Sequence, residues 1–152
     1  MWNVFLTNPA NWIAIAGVAA AFAAMLATLR SIRRQIEAVV FIEYTRRYSE
    51  ILADIPTAWR TTPPDRLAAL LILPDDDEHF RHTMRRYFNL CAEEFYLQDA
   101  KKLDSATWKI WRQGIRDSMQ LPCFDEGWRR VRGEYAGMKL FLRFIDYMAG
   151  ER

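Results

Sequence analysis

The hydrophobic and polar positions divide the chain into an uncharged beginning and a longer remainder with helical periodicity. Residues 1–29 contain no Asp, Glu, Lys or Arg. Beyond them, apolar side chains recur three and four positions apart, which is the spacing of a helix that buries one face. The two-residue alternation typical of strands is missing from the sequence, as are Asn-Gly hairpin signals. We therefore predict an all-α fold.

The uncharged stretch over residues 10–29 has the length of a membrane span. As a helix it would extend about 30 Å, which matches the hydrocarbon core of a bilayer. A cleaved secretory signal would carry a basic region before its apolar run, and this stretch has none. A buried helix of a soluble protein is the other alternative, because the stretch is rich in alanine. We predict a transmembrane helix within residues 1–29 and a helical domain over residues 30–152.

Aromatic and basic residues flank this stretch at opposite ends. Trp2 and Trp12 lie near its start, whereas Arg30, Arg33 and Arg34 follow its end. Such residues anchor a span at the membrane surfaces, and the basic ones remain on the cytoplasmic side. Each arginine beside an anionic leaflet would contribute roughly 1 kcal/mol to binding lipid. We therefore predict a single-pass protein of the inner, cytoplasmic membrane, with its N-terminus outside and its helical domain in the cytoplasm.

The helical pattern continues past the predicted span. Four apolar residues have the three-four-three spacing of a coiled-coil seam: Leu29, Ile32, Ile36 and Val39. No Pro or Gly interrupts residues 30–54, so one helix of more than forty residues is predicted from Asn11 to just before Pro56.

Further helices follow a predicted loop over residues 54–66, which contains three prolines. A short helix is predicted over residues 64–73. A longer one begins at the acidic residues 75–78, since acids suit a helix N-terminus. Its apolar stripe consists of Phe80, Met84, Tyr87, Phe88, Cys91 and Phe95.

Two more helices are predicted in the remaining sequence. Asp104 or Ser105 caps the first of them, whose apolar stripe runs through Trp108, Trp111, Ile115 and Met119. Pro122 separates it from a final continuous helix over residues 125–148, in which apolar residues have heptad-like spacing. The hydrophobic content of 51% and the aromatic content of 14% exclude a disordered chain.

The two cysteines are predicted to be unpaired thiols, because a structural disulfide is rare in the reducing cytoplasm. Cys91 belongs to an apolar stripe and should be buried as a small apolar side chain. Cys123 follows Pro122 and is predicted to lie in a loop.

Candidate catalytic and metal sites are weak in this sequence. Asp76 and His79, or Glu78 and His82, lie one helical turn apart as metal ligands sometimes do. Acids in a first helical turn already interact favourably with the helix dipole, so we predict neither a metal nor a cofactor. The helical HEPN-type ribonucleases resemble this chain in size and class, but their motif of Arg followed by His at four to six residues is absent. Gly-rich phosphate loops, a serine-hydrolase elbow and paired Cys motifs are also absent, and we predict no enzyme.

A basic face is the candidate binding site for an anion. Lys109, Arg112 and Arg116 share one side of a predicted helix and could bind the phosphates of a nucleotide or RNA. A solvated surface opposite an apolar stripe is the alternative interpretation.

Two surfaces predict self-association. Ala16, Gly17, Ala20 and Ala24 form a small-residue face in the span, and small residues four apart let helix backbones approach closely. Residues 140–148 are apolar nearly all round, which is typical of a helix that is central in a bundle or buried against another chain. We predict a homo-oligomer.

Two runs after the N-terminal span carry a family resemblance: FIEYTRRYSEILADIP at residues 41–56 and FNLCAEEFYLQDAKKLDSATWKIW at residues 88–111. They resemble small single-pass bacterial membrane proteins of unknown function. Some similar proteins accompany antiviral systems, including membrane accessories of RNA-guided RNA nucleases. The resemblance implies an oligomeric defence effector or accessory that alters membrane permeability, and it assigns no catalytic residue. The alternative is a membrane-tethered adaptor whose helical domain binds a protein or nucleotide partner.

Overall fold

The computed structural model of the protein describes residues 9–150, with side chains described from residue 11 onward. The chain forms two compact units that divide between Val40 and Phe41. This division follows packing, whereas the division predicted after residue 29 concerns the membrane boundary. Residues 41–152 are called the C-terminal unit below.

Helices make up nearly all of the described chain. Over residues 9–150 there are seven α-helices, one 3-10 helix and no strand, which confirms the all-α prediction. The elements are α1 (Pro9–Ala53), α2 (Thr57–Thr61), α3 (Pro64–Leu70), α4 (Pro74–Asp99), α5 (Ser105–Met119), α6 (Pro122–Val131), the 3-10 helix (Arg132–Tyr135) and α7 (Lys139–Gly150).

Helix α1 is the long N-terminal helix that the sequence predicts. It runs for 45 residues because Gly17 is the one glycine within it and proline occurs only at its first position. Its most apolar 18-residue window has a mean hydropathy of 2.1, and none of that window is buried. Among the described residues, α1 is the one helix long and apolar enough to cross a membrane, and it is compatible with a single span.

Helix α4 contributes many of the buried core residues of the C-terminal unit and packs against both α5 and α6. Its predicted apolar stripe is buried from Phe80 to Cys91, and Phe95 lies at the edge of the core. Gly127 on α6 lets that helix pack closely against Met84 of α4. A Cβ atom at position 127 would lie 2.4 Å from the Cγ and Sδ atoms of Met84.

The predicted final helix over residues 125–148 is wrong. The chain instead forms α6, the 3-10 helix and α7, with Gly133 and Gly137 in the connecting segment. Glycine disfavours a helix interior by about 1 kcal/mol relative to alanine. The reversal brings Trp128 against α7, where its indole Nε1 donates a hydrogen bond of 2.9 Å to Asp146 Oδ1. The heptad-like spacing therefore reflects two helices that pack on each other.

Three local predictions are also settled by the structure. The loop predicted over residues 54–66 contains helix α2, whose Trp59 is buried against Phe80 with ring centroids 5.1 Å apart. Cys123 lies buried in the first turn of α6 rather than in a loop, because Pro122 begins that helix. Asp104 caps α5 as predicted, accepting hydrogen bonds of 2.9 Å from the backbone N–H groups of Ala106 and Thr107.

Candidate functional site

A cavity of about 230 Å³ lies within the C-terminal unit, between the last third of α1 and helices α4 and α5. Its walls are apolar and aromatic apart from a few polar groups. The lining residues are Phe41, Tyr44, Thr45, Tyr48, Tyr87, Leu90, Cys91, Glu94, Ile110, Trp111, Gly114 and Ile115. Thr45 and Ile110 are exposed, whereas Tyr87, Leu90 and Cys91 are buried, so the cavity extends from the surface to the core.

One face of α1 supplies an aromatic wall. Phe41, Tyr44 and Tyr48 lie three and four residues apart and therefore share one side of the helix. Trp111 of α5 stacks on this wall, with its ring centroid 4.9 Å from that of Tyr44 and 6.4 Å from that of Phe41. The interplanar angles are 23° and 8°, so the Trp111 ring lies nearly parallel to both. The wall is therefore a packed aromatic surface that suits an apolar or aromatic group.

Helix α4 supplies the floor. Tyr87, Cys91 and Glu94 are spaced by four and then three residues, which places all three on the buried side of the helix. The hydroxyl of Tyr87 is buried and interacts with Ser118 and Cys91, although neither contact meets strict hydrogen-bond geometry within the described part of the chain. Burial raises the pKa of both Tyr87 and Cys91, so both groups stay uncharged at neutral pH.

Glu94 is the exceptional residue of the cavity, because its side chain is 6% exposed. Within residues 9–150 it makes no hydrogen bond or ion pair. Burial raises the pKa of Glu94 to about 8; the charge of Arg47 opposes the shift and that of Glu93 adds to it. Buried acids are ordinarily paired or hydrogen-bonded. The cavity therefore contains a buried acid without a hydrogen-bond or ion-pair partner in the described part of the chain.

The nearby arginine is already engaged by the neighbouring acid. Arg47 donates hydrogen bonds of 2.6 Å and 3.1 Å to the two carboxylate oxygens of Glu93, and the Tyr44 hydroxyl donates a third of 3.1 Å. The hydrogen bond from Arg47 lowers the pKa of Glu93, and burial raises that of Tyr44 to about 12. The Arg47 guanidinium also lies 5.3 Å from the centre of the Tyr44 ring. This network holds Arg47 on Glu93 and leaves Glu94 unpaired.

Helix α5 leaves open space at one position of the cavity. A Cβ atom built on Gly114 would meet no heavy atom within 4 Å, apart from the backbone of its own helix. Because Gly114 also lines the cavity, we expect a larger side chain introduced there to reduce its volume. Gly114 therefore offers a position from which the cavity can be filled.

The predicted basic face lies on α5 but outside the cavity lining. Lys109 and Arg112 are exposed, and Arg116 is half-buried, with its Nη1 donating a hydrogen bond of 3.5 Å to Gln113. These three residues share their helix with Trp111 and Ile115, which do line the cavity. An anion site at the basic face stays a prediction.

The residues predicted for membrane packing and membrane contact lie on α1. The small-residue face is exposed along the helix, and its members are Ala16, Gly17, Ala20 and Ala24. The three arginines that follow are exposed as well: Arg30, Arg33 and Arg34. Arg33 Nε donates a hydrogen bond of 2.9 Å to Glu37, one helical turn further along.

Two of the four residues considered as metal ligands, His79 and Glu78, make other contacts. His79 packs against Trp59, with ring centroids 5.4 Å apart, and Glu78 pairs with Arg85 at 3.1 Å. In the described part of the chain, no group of three or more His, Cys, Asp or Glu side chains is placed to hold a metal ion.

The sequence interpretation missed the cavity and Glu94. A signal was available, because Glu94 lies three residues after Cys91 and seven after Tyr87, on the side of the helix predicted to be buried. An acid on an apolar stripe is unusual unless it is paired. Comparisons of the chain with protein-family models, with curated proteins and with solved structures found no match.

Proposed function

We propose that this protein is a membrane-anchored binding module whose C-terminal unit takes up a small molecule in the cavity between α1, α4 and α5. The observation that carries this proposal is the buried acid Glu94, which lines an aromatic cavity and makes no hydrogen bond or ion pair within the described chain. Concave, mostly apolar sites with a few convergent polar groups and a perturbed pKa are typical of ligand pockets.

Membrane attachment by α1 is the second part of the proposal. The apolar segment is exposed over a length that suits a bilayer, and water would solvate that surface poorly. Arg30, Arg33 and Arg34 would then lie at the cytoplasmic surface, with the N-terminus outside and the C-terminal unit inside the cell. Lipid is the partner of the span in this arrangement.

The same helix carries both functions, because α1 contributes Phe41, Tyr44 and Tyr48 to the cavity wall. A ligand that binds these residues stabilises one arrangement of the α1 side chains over others. A binding event of this kind shifts an equilibrium by its differential affinity for the two states. The proposed role is therefore that of a tethered sensor or adaptor.

Filling the cavity should abolish ligand binding by the full-length protein in mild detergent. We expect compounds with one ring and a short chain to raise the thermal midpoint of the wild type. Gly114→Leu should respond to none of them, because its side chain occupies the cavity. The measurement is a thermal-shift screen of neutral, cationic and anionic compounds.

The matched control is Gln113→Leu, which adds the same side chain on the exposed side of α5. It should respond to ligand like the wild type. A wild type that responds to no compound, or a Gly114→Leu variant that responds as strongly as the wild type, would refute binding in this cavity.

A homo-oligomeric membrane assembly that alters permeability is the second candidate function. The observation that favours it is the exposed seam on α1 beyond the arginines, where Ile36 is 58% and Val39 is 65% exposed. If the arginines mark the membrane surface, these side chains face water in a monomer and would be covered in an assembly. The resemblance to defence-associated membrane proteins gives this candidate a role in antiviral defence.

Enlarging the small-residue face should reduce the size of this assembly. We expect the wild type to form a discrete oligomer in mild detergent and the Gly17→Leu, Ala20→Leu double variant to form a smaller one, since larger side chains separate the helices. Light scattering with the detergent contribution subtracted measures the mass. Val18→Leu on another face should match the wild type, whereas an unchanged mass for the double variant would count against assembly through this face.

A further inference from the structure

We propose that the ligand of the cavity is a small protonated amine whose apolar body lies against the aromatic wall and whose ammonium group binds the Glu94 carboxylate. This inference rests on the proposed binding function and names the chemical class of its ligand. Neither the basic face on α5 nor the predicted membrane residues contribute to it.

The charge distribution of the cavity selects a cation. Aromatic side chains line the cavity, and a ring face that is open to it attracts a cation within about 6 Å of its centre. The carboxylate of Glu94 adds a full negative charge once it is ionised. The cation nearest to it, Arg47, is bound to Glu93 by two hydrogen bonds. A ligand cation would therefore supply the missing partner.

The polar groups of the floor suit an ammonium group in particular. An ammonium has three N–H donors and no acceptor. The Glu94 carboxylate accepts such hydrogen bonds once it is ionised, and no other group of the described chain bonds to it. An anionic ligand would instead meet ring faces of like charge and would gain nothing from ionisation of Glu94, which disfavours its binding relative to an amine.

The volume limits the size of the amine. A cavity of about 150 Å³ accommodates benzene in other proteins, and this cavity measures about 230 Å³. One ring with a two-carbon or three-carbon chain to the nitrogen fills such a space. Gly114 adds to the room on the α5 side because no heavy atom lies within 4 Å of its Cβ position.

Binding of the amine is coupled to release of a proton. In the empty cavity Glu94 is mostly protonated at neutral pH, since its pKa is about 8. A protonated amine then binds as its ammonium replaces the carboxyl proton, which passes to solvent, so the net charge is conserved. Below this pKa, the affinity should rise up to tenfold for each unit of pH.

The groups that face Glu94 do not provide an alternative source of this pH dependence. From α1 these groups are Arg47 and Tyr44, and from its own helix they are Glu93 and Cys91. The cavity residues of α5 carry no ionisable side chain. The shifts move the pKa values of Tyr44 and Cys91 upward and that of Glu93 downward, away from neutrality in each case.

The test compares three probes that share a phenyl ring and differ in their polar end: phenethylamine, 2-phenylethanol and phenylacetate. Isothermal titration of the full-length protein in mild detergent measures their affinities between pH 6 and pH 8. Phenethylamine stays protonated in this range, as expected for an alkyl amine. We expect it to bind most tightly, with an affinity that increases at least tenfold over the range and with release of up to one proton.

Glu94→Gln should weaken phenethylamine binding at least tenfold at pH 8 and remove its pH dependence. Asp99→Asn is the matched control, because it removes one acid from the exposed end of the same helix, and it should bind like the wild type. Glutamine has nearly the shape of the protonated acid, so the variant preserves the cavity.

The failures of the two proposals are distinguishable. If phenylethanol or phenylacetate binds the wild type more tightly than phenethylamine and Gly114→Leu abolishes that binding, the cavity is a ligand site and the amine assignment is wrong. The assignment also fails if phenethylamine binds Glu94→Gln as it binds the wild type. If no probe binds the wild type, or if Gly114→Leu binds as the wild type does, the proposed binding function fails as well.

Discussion

Glu94→Gln is expected to make the C-terminal unit more stable than the wild type at pH 9 by up to about 5 kcal/mol, while leaving its stability near pH 4.5 almost unchanged. The reason is the cost of ionising an acid that is 6% exposed and unpaired within the described chain. Glutamine cannot ionise and so does not incur that cost.

The variant is expected to be the more stable protein at high pH because folding raises the pKa of Glu94. Folding raises the pKa of Glu94 from 4.5 to about 8, chiefly through burial. Between these values the folded state holds a proton that the unfolded state has released. The corresponding stability is fully present below pH 4.5 and is lost as the pH rises through about 8, at up to about 1.4 kcal/mol per unit.

Denaturant unfolding of the full-length protein in mild detergent, followed by tryptophan fluorescence, measures the difference between the two proteins. The difference in the free energy of unfolding should grow with pH for Glu94→Gln. For Asp99→Asn it should stay within about 0.5 kcal/mol of zero, because surface substitutions have small effects. Parallel pH profiles for the wild type and Glu94→Gln would show that Glu94 is not held in a desolvated site.

The helices could be predicted from the sequence because their signals are local. The unbroken run before Pro56 predicts α1, and the apolar stripe around Tyr87 predicts the buried side of α4. Asp104 identifies the start of α5 through its own backbone hydrogen bonds. Such signals lie within a few residues of the feature that they specify.

The reversal between α6 and α7 could not be predicted in this way, because its cause is distant in sequence. Heptad-like spacing is satisfied equally by one helix on a common core and by two helices that pack together. The choice depends on contacts such as those of Trp128, whose indole bonds to Asp146 and whose ring lies 5.9 Å from that of Phe141. The intervening Gly133 and Gly137 were the local hint.

The cavity depends on three helices that are far apart in the sequence. Helical spacing places Tyr44 and Tyr48 on one side of α1, but it does not reveal that Trp111 stacks against that side. Likewise, the adjacent acids Glu93 and Glu94 look equivalent in sequence. Only the packing shows that the first binds Arg47 and the second is buried without a partner. A void is a property of tertiary packing rather than of periodicity.

Arginine at both Gly17 and Ala20 should prevent the protein from inserting into a membrane. Both positions lie near the middle of the apolar segment, and each central arginine disfavours insertion by about 2.5 to 3.5 kcal/mol. The two together would oppose insertion by about 5 to 7 kcal/mol. Alanine supplies much of the apolar surface of the segment, so the free energy that favours its insertion is small. Flotation of cell membranes on a density gradient separates inserted protein from soluble or aggregated protein, and the double variant should no longer float.

The Gly17→Leu, Ala20→Leu double variant is the matched control for this experiment, because it enlarges the same two side chains without adding charge. It should float like the wild type, even where it changes the mass of an assembly. If the wild type itself does not float, or is released from membranes by alkaline carbonate, α1 does not cross a bilayer. The exposed apolar surface of α1 would then have to be covered by protein, and the proposed membrane anchor would fall while the cavity and its ligand remained separately testable.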